Sequence, residues 1–169
     1  MSAADELVDV IDDQGRTIAV VTRRQMRQER LPHRCIYVLV FNSRGELFAH
    51  LRTAAKDVYP SHWDVAIGGV LAAGETFEQG MRREIHEELG IDASAEPLFP
   101  FRHADERTLV QAMVYRLRHD GPFQLQAEEI VRGEFVPMAE VWPRIEREAF
   151  CPDGVQVLQL FSRLPKASA

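Results

Sequence analysis

Three glutamates, Glu84, Glu87 and Glu88, crowd one short stretch of the 169-residue chain, and their spacing decides what chemistry they can do. On a helix that turns about 100° per residue they fill a single arc about 100° wide. Three carboxylates therefore share one face. The helix itself is legible, because Thr76 followed three positions later by Gln79 is a capping-box pair. Gly90 is the residue type expected just past a helix end, so the predicted span is Phe77 to Leu89. Phe77, Met81, Ile85 and Leu89 recur at i, i+4 and make the stripe that packs on a core. Glu84 and Glu88 also stand at i, i+4, where like charges cost a few tenths of a kcal/mol. Partial desolvation beside the apolar stripe adds to that cost. A divalent cation removes it, and Mg²⁺ takes oxygen ligands while keeping waters and phosphate oxygens in its shell. Arg83, i, i+4 from Glu87, can orient that carboxylate. Taken alone, such a run of charge is more often a solvated acidic face than a metal site.

The flanking residues reverse that weighting. Gly69, Glu75, Arg83, Glu84, Glu87, Glu88 and Gly90, with apolar Ile85 and Ile91, fall on the pattern G-x5-E-x7-R-E-U-x-E-E-x-G-U, where U is a bulky apolar residue. At ordinary residue frequencies, seven fixed positions coincide by chance on the order of once in 10⁸ registers. The segment from Gly69 to Ile91 resembles the Nudix box of the Nudix hydrolases at every position.

The resemblance implies a loop-helix-loop that binds Mg²⁺ or Mn²⁺ and hydrolyses the phosphoanhydride bond of a nucleoside diphosphate linked to another moiety X. Carried onto this chain, the metal ligands would be Glu84, Glu87 and Glu88, joined by the Gly69 carbonyl. Glu84 is also a candidate to position or deprotonate the attacking water. Arg83 and Glu75 would complete the catalytic set, Glu75 as a support for the loop. A bound metal would lower the pKa of the water and neutralise charge on the phosphate oxygens. Many members of the family take a further glutamate from outside the box as base or ligand; the candidates are Glu128 and Glu129, with Glu129 preferred. Arg52 and Lys56 are candidates to receive substrate phosphates, and Arg34 is a further one.

A second resemblance concerns the branch. Asp5 to Arg23, the paired segments around Asn42 to Gly45, and Tyr59-Pro60-Ser61-His62-Trp63-Asp64 look like the subgroup related to isopentenyl-diphosphate isomerase. That enzyme carries a catalytic Cys where this chain has Ile67, and isoleucine cannot exchange a proton with an alkene. Three readings follow: a metal-dependent pyrophosphohydrolase, which is preferred, an isomerase-like enzyme, and a noncatalytic module that binds a phosphate ligand.

The elements that must position these residues are mostly short strands. Leu7 to Ile11 and Thr17 to Thr22 read as an N-terminal hairpin around a turn rich in Asp and Gly. Arg23 to Arg30 reads as a short helical connector stopped by Leu31-Pro32. Cys35 to Phe41 and Glu46 to Leu51 flank Asn42-Ser43-Arg44-Gly45 and predict two long antiparallel strands. Trp63 to Ile67, Gly69 to Leu71, Pro97 to Phe101, Thr108 to Leu117 and Glu134 to Val136 predict further strands. Met138 to Glu148 and Val155 to Leu164 predict two closing helices. Strands and helices mixed without a βαβ rhythm point to an α+β class with a mixed sheet and helices on both sides. This agrees with the α/β/α sandwich that the resemblance implies. The expected organisation is one domain over 1-169, with 1-30 as a hairpin extension.

Composition excludes little but is consistent. The chain is 46% hydrophobic and 27% charged, ordinary for a globular protein. Its formal charge of -6 argues against a general affinity for nucleic-acid polymers, while leaving a small phosphate-bearing ligand open. Cys35 and Cys151 lack zinc or redox spacing and read as core thiols. Trp63 reads as core and His86 as exposed. The first residues lack the pattern of a secretory signal, and no apolar run approaches a membrane span. The expectation is a cytoplasmic protein acting on a small-molecule diphosphate, a nucleotide by preference, as a monomer or homodimer.

Overall fold

A computed structural model describes residues 2–165. The N-terminal hairpin forms where the turn residues predicted it. After a 3₁₀ turn at Ala3–Asp5, β1 (Leu7–Ile11) pairs antiparallel with β2 (Thr17–Thr22). Asp12 Oδ1 accepts the N–H groups of Gln14 and Arg16, each at 2.9 Å, and so closes the turn. These two strands form a sheet of their own. In α1 (Arg23–Gln28), the Thr22 hydroxyl accepts from Gln25 N at 3.2 Å and caps the helix.

The second sheet has seven strands: β3 (His33–Phe41), β4 (Leu47–Arg52), β5 (Trp63–Asp64), β6 (Ile67–Val70), β7 (Glu96–Ala104), β8 (Leu109–Arg118) and β9 (Ile130–Val136). β3 is central. One edge runs parallel to β8 from His33↔Val110 to Phe41↔Arg118, and β8 continues antiparallel to β7. The other edge is divided. From Cys35 to Val38 it pairs antiparallel with β6.

That division corrects the expected long hairpin of β3 and β4. The turn forms, with Asn42 Oδ1 accepting from Arg44 N and Glu46 N, but the strands meet in register only at Phe41↔Leu47. β6 has taken the remaining β3 edge, and β4 pairs instead with β9 along its length and with β5 at Leu51↔Trp63. The strand expected over Trp63 to Ile67 likewise breaks after Asp64, whose Oδ1 accepts Ala66 N at 3.1 Å and bends the chain. β9 begins at Ile130, earlier than expected, because the Arg132-Gly133 pair interrupts its apolar pattern in the sequence.

Helices cover both faces of this sheet. α2 (Phe77–Leu89) lies on one side, where Met81, Ile85 and Leu89 are buried with Ile36, Val38 and Val40 of β3. α3 (Met138–Arg147) and α4 (Pro152–Ser162) lie on the other, with Val141, Val157 and Leu158 buried among Tyr37 and Leu39. Alternate β3 residues therefore feed opposite cores, as the two-residue period of a strand requires. The architecture is α+β, an α/β/α sandwich around a mixed sheet. α4 starts at Pro152 rather than Val155 because proline suits the first helical position. Cys35, Cys151 and Trp63 are buried, and both thiols are free. Among the described residues, no helix is long and apolar enough to cross a membrane.

Candidate active site

α2 is built as its sequence predicts. Thr76 Oγ1 accepts Gln79 N at 3.2 Å, and Gln79 Oε1 accepts Thr76 N at 2.9 Å, closing the capping box. At the other end Gly90 adopts φ 66°, ψ 24°, the left-handed cap. The apolar stripe turns inward, which draws Glu84 and Glu88 below the surface while Glu87 and His86 stay exposed.

Arg83 ties the segment together. Its Nε and Nη2 donate to the two oxygens of Glu75 at 2.8 and 2.9 Å. Its Nη1 donates to Glu84 Oε1 at 2.7 Å and to Glu87 Oε2 at 3.2 Å, and Nη2 also reaches the Val70 carbonyl at 3.2 Å. The fork geometry of a guanidinium makes this possible. Burial pushes the Glu75 carboxyl up, but the bonds from Arg83 and from Ala72 N outweigh it and hold it below the usual range. Ionised Glu75 anchors the loop between β6 and α2.

The two inner carboxylates are less comfortable. Burial raises Glu84, against the pull of Arg83. Burial and then the neighbouring Glu84 raise Glu88 to about 8, with Lys56 and Arg52 opposing. Glu84 lies against the backbone of Gly69, and a Cβ added there would overlap its carboxylate. Two buried acids beside a bare stretch of backbone suit a hard divalent cation, which would relieve their desolvation. Among the described residues no group of three His, Cys, Asp or Glu side chains converges as a ready cage. Mg²⁺ does not need one, because water and substrate oxygens complete its shell.

Beyond Gly69 lies a cavity. Gly68, Gly69, Arg52, Lys56, Tyr37, Asp64 and Asp153 are among the residues that line it. Tyr37 donates its hydroxyl to Asp153 Oδ2 at 2.7 Å. Burial, and then Asp153, push the Asp64 carboxyl up to about 7. A loop over residues 53–62 forms a strap beside the cavity, bringing Lys56, Asp57, Val58 and Tyr59 to the lining. Arg52 Nη2 holds the Val58 carbonyl at 2.8 Å, and the Tyr59 hydroxyl donates to Asp105. Thr53 N donates to the Glu129 carbonyl at 3.0 Å.

Glu129 sits at the start of β9, where its carboxylate pairs with Lys56, while Glu128 is exposed. The segment carrying both is stitched to the end of α2 by Gln124 N to the Leu89 carbonyl and Gln126 N to the Glu88 carbonyl. Arg34 is elsewhere. It pairs with Asp9 at 2.9 Å and caps the hairpin turn at the Gly15 carbonyl, so it does not face the cavity as a phosphate ligand.

Comparison with known proteins identifies the family and the fold. A model of the NUDIX domain matches residues 31–161. An uncharacterised Nudix hydrolase of Streptomyces coelicolor is 38% identical over 168 residues, covering 97% of this chain and 91% of that protein. The chain belongs to the Nudix hydrolase family. Its enzymes are hydrolases of pyrophosphate bonds and generally use a divalent metal. A Deinococcus radiodurans protein of known crystal structure superposes with a TM-score of 0.81 at 27% identity, covering 94% of this chain and all of the other. The NUDIX domain of Shewanella oneidensis NrtR, crystallised with ADP ribose, shares the fold at a TM-score of 0.63 and 16% identity, covering 86% of this chain and 100% of that one.

Sequence reasoning missed Arg23 and Arg27 of α1, which line the same cavity as Gly69. Their i, i+4 spacing was a usable signal, since it sets both guanidinium groups on one helix face. α1 is thus more than a connector. Asp64 and Asp153 were also missed as site residues: Asp64 ends the Tyr59 to Asp64 segment that carries the branch resemblance, and nothing in the local sequence marks Asp153.

Proposed function

We propose that the chain is a Mg²⁺-dependent hydrolase that cleaves the phosphoanhydride bond of a nucleoside diphosphate linked to X, or of a related diphosphate, by attack of water. The observation that carries this reading is the burial of Glu84 and Glu88 side by side, Glu84 against the Gly69 backbone, next to a cavity lined by Arg52 and Lys56. Glu84, Glu87 and Glu88, with the Gly69 carbonyl, are the residues that would hold Mg²⁺, and Mn²⁺ suits the same donors. The bound ion would supply an acidified water and charge neutralisation on the phosphate oxygens.

The chain's own residues do the rest. Arg83 orients Glu84 and Glu87, and Glu75 orients Arg83. Arg52 and Lys56 bind phosphate oxygens, and Glu129 or Glu84 accepts the proton of the attacking water. Ile67, packed in the core beneath α2, offers no group that could protonate an alkene, which disfavours the isomerase reading. In this proposal the protein is one domain over 1-169, with 1-30 as its hairpin extension. It acts in the cytoplasm on small molecules, away from nucleic-acid polymers and membranes, as a monomer or homodimer.

The test is a panel of nucleotides, nucleotide sugars including ADP ribose, dinucleoside polyphosphates and isoprenoid diphosphates, assayed with Mg²⁺ and with chelator. Turnover should require the metal and should fall about a hundredfold or more in Glu87→Gln and in Glu88→Gln. Turnover that survives chelation, or that neither substitution affects, refutes the assignment.

A further inference from the structure

The cavity beside Gly69 encloses about 70 Å³, well short of the roughly 300 Å³ at which small-molecule sites begin. A second cavity, of about 350 Å³, lies on the outer side of the strap, against α1 and the Ala3–Asp5 turn. The two have Arg23, Arg27, Lys56 and Asp57 in common. These side chains are the wall between them.

Ion pairs run through this wall. Asp57 Oδ2 accepts from Arg27 Nε at 3.0 Å and lies 3.8 Å from Arg23 Nε, while Lys56 pairs with Glu129. Arg23 also stands 3.6 Å from Glu6. The cations are the more buried partners: Arg23 and Arg27 side chains are 20% exposed and Lys56 11%, against 41% for Asp57 and 30% for Glu129. Three partly desolvated cations are thus paired with carboxylates, Asp57, Glu129 and Glu6, that are each more exposed than the cation they face. Phosphate oxygens offer the same acceptor geometry with more charge, and guanidinium groups bind them through paired N–H bonds.

We propose that this wall is a phosphate-operated gate and that the outer cavity is the subsite for a compact, phosphoryl-bearing X. Arg23, Arg27 and Lys56 exchange Asp57 and Glu129 for phosphate oxygens of the substrate, which joins the two cavities into one of ordinary ligand size. The proposal rests on the hydrolase reading for the chemistry at the α2 end. Arg24 and Gln28 give the outer cavity further donors, and Ala3, Ala4 and Ala55 give it small apolar walls. Among the described residues no aromatic ring lines it, so it has nothing on which a second nucleobase would stack. The residues of α1 lie outside the stretch that matches the NUDIX domain, whereas Ala55, Lys56, Asp57 and Glu129 lie within it, so the subsite would be built jointly by the two.

Two measurements test this. The first is calorimetric binding of inorganic tripolyphosphate to the metal-free full chain. Asp57→Asn removes the carboxylate that both arginines share, leaving Arg23 its longer pair with Glu6 and Arg27 its bond to the Thr108 hydroxyl, and should tighten binding severalfold, whereas Arg23→Gln/Arg27→Gln should weaken it about tenfold or more. Arg27→Lys, which keeps the charge but loses the fork, should fall between. The second is the steady-state kinetics of ADP, ATP and adenosine tetraphosphate with Mg²⁺. The double arginine variant should raise the ratio of the KM for the tetraphosphate to the KM for ADP about tenfold. Equal tripolyphosphate affinity in the parent, Asp57→Asn and double arginine proteins overturns the proposal, as does weaker binding by folded Asp57→Asn. Tripolyphosphate binding that follows the expected order in a chain with no metal-dependent turnover supports the gate and defeats the hydrolase reading.

Discussion

Arg83 donates to three carboxylates and a carbonyl at once, and this single side chain explains much of the spacing around it. Its link to Glu87 was legible as an i, i+4 pair on a helix. Its bidentate link to Glu75 was not, because Glu75 precedes the helix cap and no periodicity relates the two. Nor could helical geometry tell that Glu88 would be buried without a hydrogen bond from the described residues, whereas Glu87 would stay in water. That difference has a measurable result. Glu88 is held above its ordinary value in the fold, so its contribution to stability is present below about pH 4.5 and is lost as pH rises toward 8. Metal-free Glu88→Gln should therefore melt several degrees above the parent at pH 8, with the gap closing toward pH 4.5. Adding Mg²⁺ should raise the parent's Tm and leave the variant's nearly unchanged. Calorimetric scans of both proteins, with and without the ion, check it.

At the level of elements, α2 was the most legible part of the chain, because its cap, its stripe and its terminal glycine all agree. Gly90 has a second duty that only the structure reveals. A Cβ there would come within 2.8 Å of the Gln124 carbonyl and 2.7 Å of its Cβ, on a backbone already at φ 66°. Gly90→Ala thus combines left-handed strain with a clash against the segment that leads to Glu129. Thr76→Ala loses only a cap, at about 1 kcal/mol. Thermal melts should show Thr76→Ala about 2 to 4 °C below the parent, with Gly90→Ala clearly lower still. The strap at 53–62 was illegible for the opposite reason. Tyr59 and Ser61 take positive φ values of 50° and 58°, although neither residue type advertises that conformation. Contacts from the adjacent Arg52, and from Asp105 and Glu129, distant in sequence, hold the loop there.

Across the whole molecule, class and layering could be read from the alternation of strands and helices, but the pairing of strands could not. The turn at Asn42 to Gly45 pointed to a β3 to β4 hairpin, and only the competition for the β3 edge shows why β6 wins most of it. The interior also holds histidines that no pattern flagged. His33 is 1% exposed, and burial, then Arg27, lower it to about 4. It stays neutral in the fold while the unfolded chain takes up a proton below about pH 6.5. Its stabilising effect is complete above that pH and falls away as the solution is acidified toward 4. Between pH 7 and 5 the parent should lose about 2 kcal/mol relative to His33→Gln, read as a shift in the difference between their urea midpoints. The parallel pairing of β3 with β8 also bears on how the chain reaches this state. His33 finds its partner at Val110, so the central strand cannot complete both edges until a segment synthesised much later has emerged. Closing so long a loop comes before any reward in hydrogen bonds, which makes this strand pair the natural bottleneck of folding and leaves the apolar β3 edge exposed to other chains while it waits.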